Sequence, residues 1–254
     1  MVVAAFISGS KGGTGKTTLC TLLSLISARK GFKTLIIDLG ESGNSTTLLT
    51  GGTDPPYFTD YLTGNAEWGD TVVEVRENLY LAPTPPDFSL KDVEALLGVS
   101  QLYRDRYSAF ISGIKNYVDA VFIDFPAFPF KSYGFLLTPA SKSVLIVNPD
   151  PLSFSAALHT YTGSTYVVPV LNKYHPAATY WRDVLEDRYG EVVTIPFDVT
   201  LSFLIEKTIL DSIRYIDKTT LRALNTLLDR IMPLTGSSPS SLGLRSQLTA
   251  LLNR

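Results

Sequence analysis

Residues 8–18 read Ser8-Gly9-Ser10-Lys11-Gly12-Gly13-Thr14-Gly15-Lys16-Thr17-Thr18. The apolar run Val2–Ile7 precedes this stretch, and Leu19–Lys30 follows it with apolar residues at helical spacing. The order predicts a strand, then a glycine-rich loop, then a helix. An isolated glycine-rich turn could contain Gly-Lys-Thr by chance, but the flanking strand and helix favour a loop built to hold phosphate.

The composition of the stretch has a direct chemical meaning. Glycines leave the backbone free to curl, so several N–H groups can point at one cluster of phosphates, and the helix N-terminus adds partial positive charge. A lysine at the end of the loop reaches the outer phosphates, and the hydroxyl after it binds Mg²⁺. We therefore predict a nucleotide-binding loop formed by Gly12, Gly13, Thr14, Gly15, Lys16, Thr17 and Thr18.

The loop also departs from the ordinary pattern. A glycine is expected five residues before Gly15, where this chain has Ser10, and a second lysine, Lys11, follows it. Lys11 to Thr18 resembles the deviant phosphate loop of the ParA/MinD family of P-loop ATPases. The resemblance implies ATP and Mg²⁺ as ligands and an ATP-dependent homodimer in which Lys11 reaches the phosphates bound by the other subunit. The alternative is a solvated lysine beside the loop.

Composition indicates one large globular domain. The chain has 254 residues, of which 45% are hydrophobic and 18% are charged. A net charge of −2 argues against a generally basic nucleic-acid binder but leaves room for a local patch. A single cysteine, Cys20, excludes a disulfide framework and the iron–sulfur carriers that need paired cysteines. The chain has neither a long apolar run nor a basic leader, so we expect a cytoplasmic protein.

Short apolar runs recur between amphipathic segments, which predicts a mostly parallel, twisted β-sheet flanked by helices on both faces, the α/β fold of P-loop NTPases. The predicted strands are Val2–Ile7, Thr34–Asp38, Leu79–Ala82, Ala120–Asp124, Ser143–Asn148, Val167–Leu171 and Val192–Ile195. The predicted helices include Leu90–Leu97, Tyr103–Tyr117, Tyr180–Tyr189 and Thr219–Met232. We assign residues 1–232 to the ATPase domain and 233–254 to a flexible linker with a short amphipathic helix.

Two aspartates close predicted strands and are candidate catalytic and Mg²⁺-binding residues, together with Thr17. Asp38 ends Leu35–Asp38, and Asp124 ends Val121–Asp124. Either could instead be an ordinary turn aspartate. By resemblance, Asp38 and Asp124 begin the first and second switch segments of the family, with Lys11 and Lys16 completing the catalytic set.

One switch position differs from the family. The second aspartate of the first switch, which in relatives positions the attacking water, falls on Gly40. Glycine has no group that polarises water, so hydrolysis requires Asp38 alone or a movement of Glu41. We expect ATP binding with weak hydrolysis.

Base recognition is predicted at the ends of two later strands. An asparagine amide can donate to and accept from an adenine edge, and the family places such an asparagine at Asn172. Pro196 and Asp198 resemble the family segment that flanks the base. A turn-forming asparagine is the alternative for Asn172.

The cellular role has two leading candidates. From residue 201 onward there are seven cationic residues and four acidic ones. This excess of positive charge favours a partition ATPase that binds DNA non-specifically and is released by a ParB-like centromere-binding partner. Such a protein would be associated with the nucleoid. The predicted DNA-binding residues are Lys207, Arg214, Lys218, Arg222 and Arg230, with a merely solvated basic face as the alternative.

The second candidate is a MinD-like positioning ATPase that docks on membranes. Leu244, Leu248, Leu251 and Leu252 fall on one face of the predicted C-terminal helix, although docking of that helix on its own domain is the stronger reading. Bacterial tyrosine kinases of the family carry a tyrosine-rich tail, and no tyrosine follows Tyr215.

Overall fold

The computed structural model describes residues 1–89, 92, 101–127, 134–160, 162, 166–204 and 209–232. Within these residues one eight-stranded sheet runs through the molecule in the order β3-β4-β2-β5-β1-β6-β7-β8. Its strands are β1 (Val2–Ile7), β2 (Thr34–Asp38), β3 (Val73–Arg76), β4 (Leu79–Ala82), β5 (Ala120–Asp124), β6 (Lys142–Val147), β7 (Tyr166–Tyr174) and β8 (Val193–Pro196).

All neighbouring strands pair in parallel except β3, which pairs antiparallel with β4 at one edge. The central strands are buried along their whole length, as expected for strands covered on both faces. The predicted fold class is therefore confirmed.

Helices cover both faces of the sheet. They are α1 (Lys16–Arg29), α2 (Asn44–Thr50), α3 (Phe58–Thr63), α4 (Gln101–Ile114), α5 (Gly134–Leu137), α6 (Pro151–Leu158), α7 (Thr179–Tyr189) and α8 (Lys218–Ile231). One hydrophobic core lies between the sheet and α1, α2 and α8, and the other lies between the sheet and α3 to α7. Alternate residues of β1 divide between them: Ala4 and Phe6 face the first core, and Val3, Ala5 and Ile7 face the second.

Seven strands were predicted, each within a few residues of its observed bounds, and β3 was missed. β3 holds only Val73-Glu74-Val75-Arg76, is at most half-buried, and pairs on one side alone. A four-residue edge strand with alternating polarity carries a weak periodic signal, so its pairing with β4 decides its conformation. The predicted helix Leu90–Leu97 and the predicted linker and helix at 233–254 lie outside the described residues.

Candidate phosphate-binding and metal-binding site

The glycine-rich loop lies at the carboxyl ends of the central strands, between β1 and α1. In open α/β sheets this is the edge where ligands bind. A cavity of about 950 Å³ opens there. Its lining includes nine of the predicted site residues: Gly12, Gly13, Gly15, Lys16, Thr17, Thr18, Asn172, Pro196 and Asp198. Gly40 lines it as well, whereas the predicted residues Lys11, Thr14, Asp38 and Asp124 are not among the lining residues.

Lys16 begins α1 and is only 8% exposed. Its Nζ donates to Ser8 Oγ at 2.9 Å, and Ser8 Oγ donates to the carbonyl of Lys11 at 2.8 Å. Burial lowers the pKa of Lys16, while the negative charges of Asp124 and Glu41 act in the opposite direction. The ammonium is therefore held at the base of the loop by one hydroxyl, a partner that an incoming phosphate can replace.

Lys11 is half-buried at the start of the loop. In the described part of the chain, Lys11 is not among the residues that line the cavity. This position is compatible with the predicted reach toward a second subunit, which stays a prediction.

Side chains from β7 and from the residue just after β6 contact the loop. Asn172 Nδ2 donates to the carbonyl of Thr14 at 2.7 Å, and Lys173 Nζ donates to the carbonyl of Gly13 at 3.1 Å. Asn148 Nδ2 lies 3.5 Å from the same Gly13 oxygen. The loop is thus tied to two strands that lie far from it along the chain.

Two buried carboxylates face each other next to the loop, because Asp38 of β2 pairs in register with Asp124 of β5. Asp38 Oδ2 accepts from the backbone N–H and the hydroxyl of Thr46, each at 2.7 Å, and Asp38 Oδ1 accepts from the Gly40 N–H at 2.9 Å. Burial, followed by the charge of Asp124, raises the pKa of Asp38 to about 7. Asp38 therefore anchors the start of α2 from within the protein.

Asp124 is less completely satisfied. Its Oδ2 accepts from Ser45 Oγ at 2.7 Å, whereas its Oδ1 is buried without a hydrogen-bond partner in the described part of the chain. Burial raises the pKa of Asp124, and the hydroxyls of Ser45 and Thr17 together with the charge of Lys16 oppose that rise. A buried carboxylate oxygen without a donor, beside a threonine hydroxyl, is the oxygen-rich donor set that Mg²⁺ prefers.

The residues present therefore fit a magnesium ion. Asp124 and Thr17 are the better candidates for direct ligands, since Asp38 already accepts three hydrogen bonds. Bound Mg²⁺ would neutralise the negative charge that the two aspartates and a phosphate group bring together.

Gly40 sits between the two carboxylates. A Cβ at this position would lie 3.1 Å from Asp38 Oδ1 and 3.2 Å from Asp124 Oδ2. Both contacts are tight, so any side chain here would crowd the acidic pair, and an acidic one would add a third negative charge.

The predicted base-flanking residues lie at the far end of the cavity from the acidic pair along the sheet. The Nδ2 of Asn172 uses one N–H on the Thr14 carbonyl, which leaves its Oδ1 and its second N–H for an adenine edge. Both carboxylate oxygens of Asp198 accept hydrogen bonds from backbone groups of the protein. Oδ1 accepts from the Thr200 N–H at 2.9 Å, and Oδ2 accepts from the Asp217 N–H at 3.0 Å. Asp198 thereby links the cavity wall to the residue that caps α8.

The predicted DNA-binding residues do not form one group. Arg214, Lys218 and Arg222 are exposed around the start of α8. Arg230 lies near the other end of α8, where it pairs with Glu191 and donates to the Glu191 carbonyl, so the structure separates it from the others. Lys207 lies outside the described residues.

Several site residues were missed from the sequence: Ser8, Ser45, Thr46, Asn148 and Lys173. The hydroxyls of Ser45 and Thr46 stand just after Gly43 in a run of small polar residues, a helix-start pattern that could have marked them. Nothing in the local sequence indicates that Asn148 and Lys173 approach the loop, because that contact depends on the order of β6 and β7 in the sheet.

In the described residues, no helix has the length and apolar character needed to cross a membrane.

Part of this chain is similar in sequence to known proteins. The chain matches the AAA domain family over residues 2–157. It is 28% identical to an uncharacterized ATP-binding protein of Methanocaldococcus jannaschii over 164 residues, which are 62% of this chain and 57% of that protein. The chain spans about half the length of the curated relatives it matches.

Solved structures share the fold. The septum site-determining protein MinD of Pyrococcus horikoshii, in complex with Mg-ADP, superposes with a TM-score of 0.71 at 21% identity, covering 94% of this chain and 99% of that one. A plasmid partition protein of Borrelia burgdorferi superposes with a TM-score of 0.64 at 14% identity, covering 90% of this chain and 97% of that one. The AAA domain match extends over more than half of the chain, and the loop carries Lys11 as well as Lys16, so this chain belongs to the ParA/MinD family of P-loop ATPases with a deviant phosphate loop.

Proposed function

We propose that this chain is a partition ATPase. It binds ATP with Mg²⁺, dimerises on ATP through Lys11, binds DNA non-specifically in that state, and hydrolyses ATP slowly. A ParB-like centromere-binding partner then releases it from DNA. In this proposal the protein works in the cytoplasm on the surface of the nucleoid.

The nucleotide part of the proposal is supported by the loop and the acidic pair. The cavity places Lys16, Thr17 and Thr18 at the N-terminus of α1, where a helix favours phosphate. The unpartnered Oδ1 of Asp124 and the adjacent Thr17 hydroxyl supply oxygen ligands for Mg²⁺. Family membership supports ATP as the nucleotide.

One observation carries the DNA part of the proposal. The hydrogen bond from the Asp217 N–H to Asp198 Oδ2 joins the wall of the cavity to the N-terminus of α8, the helix that carries Lys218 and Arg222. A change in the cavity on nucleotide binding can therefore reach a group of exposed cations through one contact. This contact supports a DNA affinity that depends on the bound nucleotide.

The test is a DNA-binding titration with ATP, with ADP and without nucleotide, each at two salt concentrations. We expect salt-sensitive binding with ATP alone, because each phosphate contact releases counterions. Replacing Lys218 and Arg222 together with alanine is expected to reduce the salt slope by about 2, at about 0.9 per contact.

Lys115→Ala is the control for loss of a single positive charge elsewhere on the surface. Lys115 is exposed and follows α4, on the opposite face of the sheet from α8, so its loss should leave the slope unchanged. Binding that ignores the nucleotide, or an equal effect of the control, would contradict the proposal. ATP-dependent sedimentation with anionic vesicles in place of DNA binding would support the MinD-like alternative.

Slow hydrolysis has its own test at position 40. Gly40→Asp restores a carboxylate in the first switch, and Gly40→Ala adds the same Cβ without the carboxylate. The Cβ contacts of 3.1 and 3.2 Å are common to both variants, so crowding cancels in the comparison. We expect faster ATP turnover in Gly40→Asp than in Gly40→Ala, and equal turnover would refute the role assigned to the missing carboxylate.

A further inference from the structure

Strand β7 contains an irregularity where it passes the phosphate loop. Leu171 pairs with Thr194 of β8, but the next pair joins Tyr174 to Pro196, so β7 takes three steps where β8 takes two. The extra residue is accommodated at Asn172–Lys173, and Lys173 has a φ of 54°. A lysine in the left-handed region is sterically disfavoured, and such residues persist where the surrounding structure requires them.

The bulge changes the direction of a side chain. In a regular strand, consecutive side chains point to opposite faces of the sheet. Here Asn172 and Lys173 are consecutive, and both donate to the phosphate loop, one to the carbonyl of Thr14 at 2.7 Å and the other to the carbonyl of Gly13 at 3.1 Å. Bulges beside binding sites commonly redirect a side chain in this way.

The two contacts determine where the loop N–H groups point. A trans peptide is planar, with its C=O and N–H on opposite sides. Lys173 holds the Gly13 carbonyl, so the Thr14 N–H of the same peptide points away from Lys173, and Asn172 orients the Gly15 N–H in the same manner. Within the described ranges, neither N–H donates to a protein acceptor.

We propose that Lys173 is a positioning residue for phosphate binding. With Asn172 it holds the carbonyls of Gly13 and Thr14, so that the N–H groups of Thr14 and Gly15, on the opposite sides of those peptides, form a preformed site for a diphosphate group. This inference rests on the proposed nucleotide binding at the loop. Lys173 is exposed, and its backbone adopts the disfavoured left-handed conformation. The ammonium contact is therefore made in spite of local backbone strain.

Two variants test this role. Lys173→Gly removes the contact and relieves the left-handed backbone, and Lys173→Met removes the donor but keeps the stem. We expect ADP and inorganic pyrophosphate to bind both variants about tenfold more weakly or worse, since a charge-assisted hydrogen bond network of this kind contributes at least one such factor. The nucleotide-free Lys173→Gly protein should be as stable as the wild type or more stable, the opposite of what loss of a purely structural residue gives.

Asn78→Gly is the matched control. Asn78 is another non-glycine residue in the left-handed region, with a φ of 63°, and it lies in the turn before β4, away from the cavity. Its replacement relieves the same kind of backbone conformation and should leave pyrophosphate affinity unchanged. Unchanged affinity in both Lys173 variants would overturn the proposal.

A measurement without nucleotide separates this inference from the proposed function. In NMR spectra of the nucleotide-free protein, the amide resonances of Thr14 and Gly15 are expected to shift or broaden in Lys173→Gly and Lys173→Met, and to stay in place in Asn78→Gly. If wild-type protein fails to bind ATP but these shifts occur, the positioning contact stands and the function fails. If ATP binds and the resonances do not respond, the positioning role is refuted.

Discussion

Replacing Gly15 with alanine should destabilise the nucleotide-free protein more than the same change at neighbouring loop glycines. Gly15 has a φ of 100°, and an added Cβ would lie 2.5 Å from Asn172 Nδ2. The left-handed backbone costs an L-residue about 1–2 kcal/mol. Displacing Asn172 would leave the Thr14 carbonyl without its donor, which costs about 1–3 kcal/mol for a buried group.

The loop provides two controls that separate these effects. Gly13 has a φ of 72° with open space around an added Cβ, and Gly12 has open space without a positive φ. Allowing for the stabilisation of about 0.4–1 kcal/mol that alanine gives through the unfolded chain, we expect losses of about 2–4 kcal/mol for Gly15→Ala and about 1 kcal/mol for Gly13→Ala. Gly12→Ala is expected to be neutral or slightly stabilising.

The assay is urea unfolding of each variant without nucleotide or Mg²⁺, with two probes to check that the transition is two-state. The double variant Gly15→Ala with Asn172→Ala completes a cycle, and its loss should be smaller than the sum of the single losses because the clash is gone. If Gly15→Ala and Gly13→Ala unfold at the same urea concentration, Asn172 does not pack against the loop as described, and the reasoning fails.

Three further predictions concern the carboxylates and Lys11. The pKa of Asp38 is raised to about 7, so the native state holds a proton more tightly than the unfolded chain. Stability in Mg²⁺-free buffer should therefore fall as the pH rises from about 4 to about 7, with Asp38 contributing at most about 4 kcal/mol, and Asp38→Asn should remove that part of the pH dependence in urea unfolding. Mg²⁺ at about 100 times its Kd should stabilise the wild type by about 2.7 kcal/mol, and a Mg²⁺-induced shift that survives in Asp124→Asn would exclude Asp124 as a ligand. Lys11→Ala should keep ADP affinity while abolishing the ATP-induced dimer in light scattering, whereas Lys16→Ala should lose both.

The sequence by itself determined the glycine-rich loop between β1 and α1, the seven parallel strands of the sheet and the acidic residues at two strand ends. These features are local: glycine spacing, apolar runs and the residue that closes a strand can all be read within a few positions. For the same reason Asp38, Asp124 and Asn172 were identified as site candidates without knowledge of their neighbours.

Only the tertiary structure decided how these residues combine. The pairing of β2 with β5 brings Asp38 beside Asp124, and the burial of that pair raises the pKa of both carboxyl groups. The position of β7 in the sheet and its bulge bring Lys173 into contact with the loop. Arg230 pairs with Glu191 and lies apart from the other predicted DNA-binding cations. Strand order, register and bulges follow from packing across the whole sheet, which relates residues far apart along the chain and leaves no trace in their local sequence.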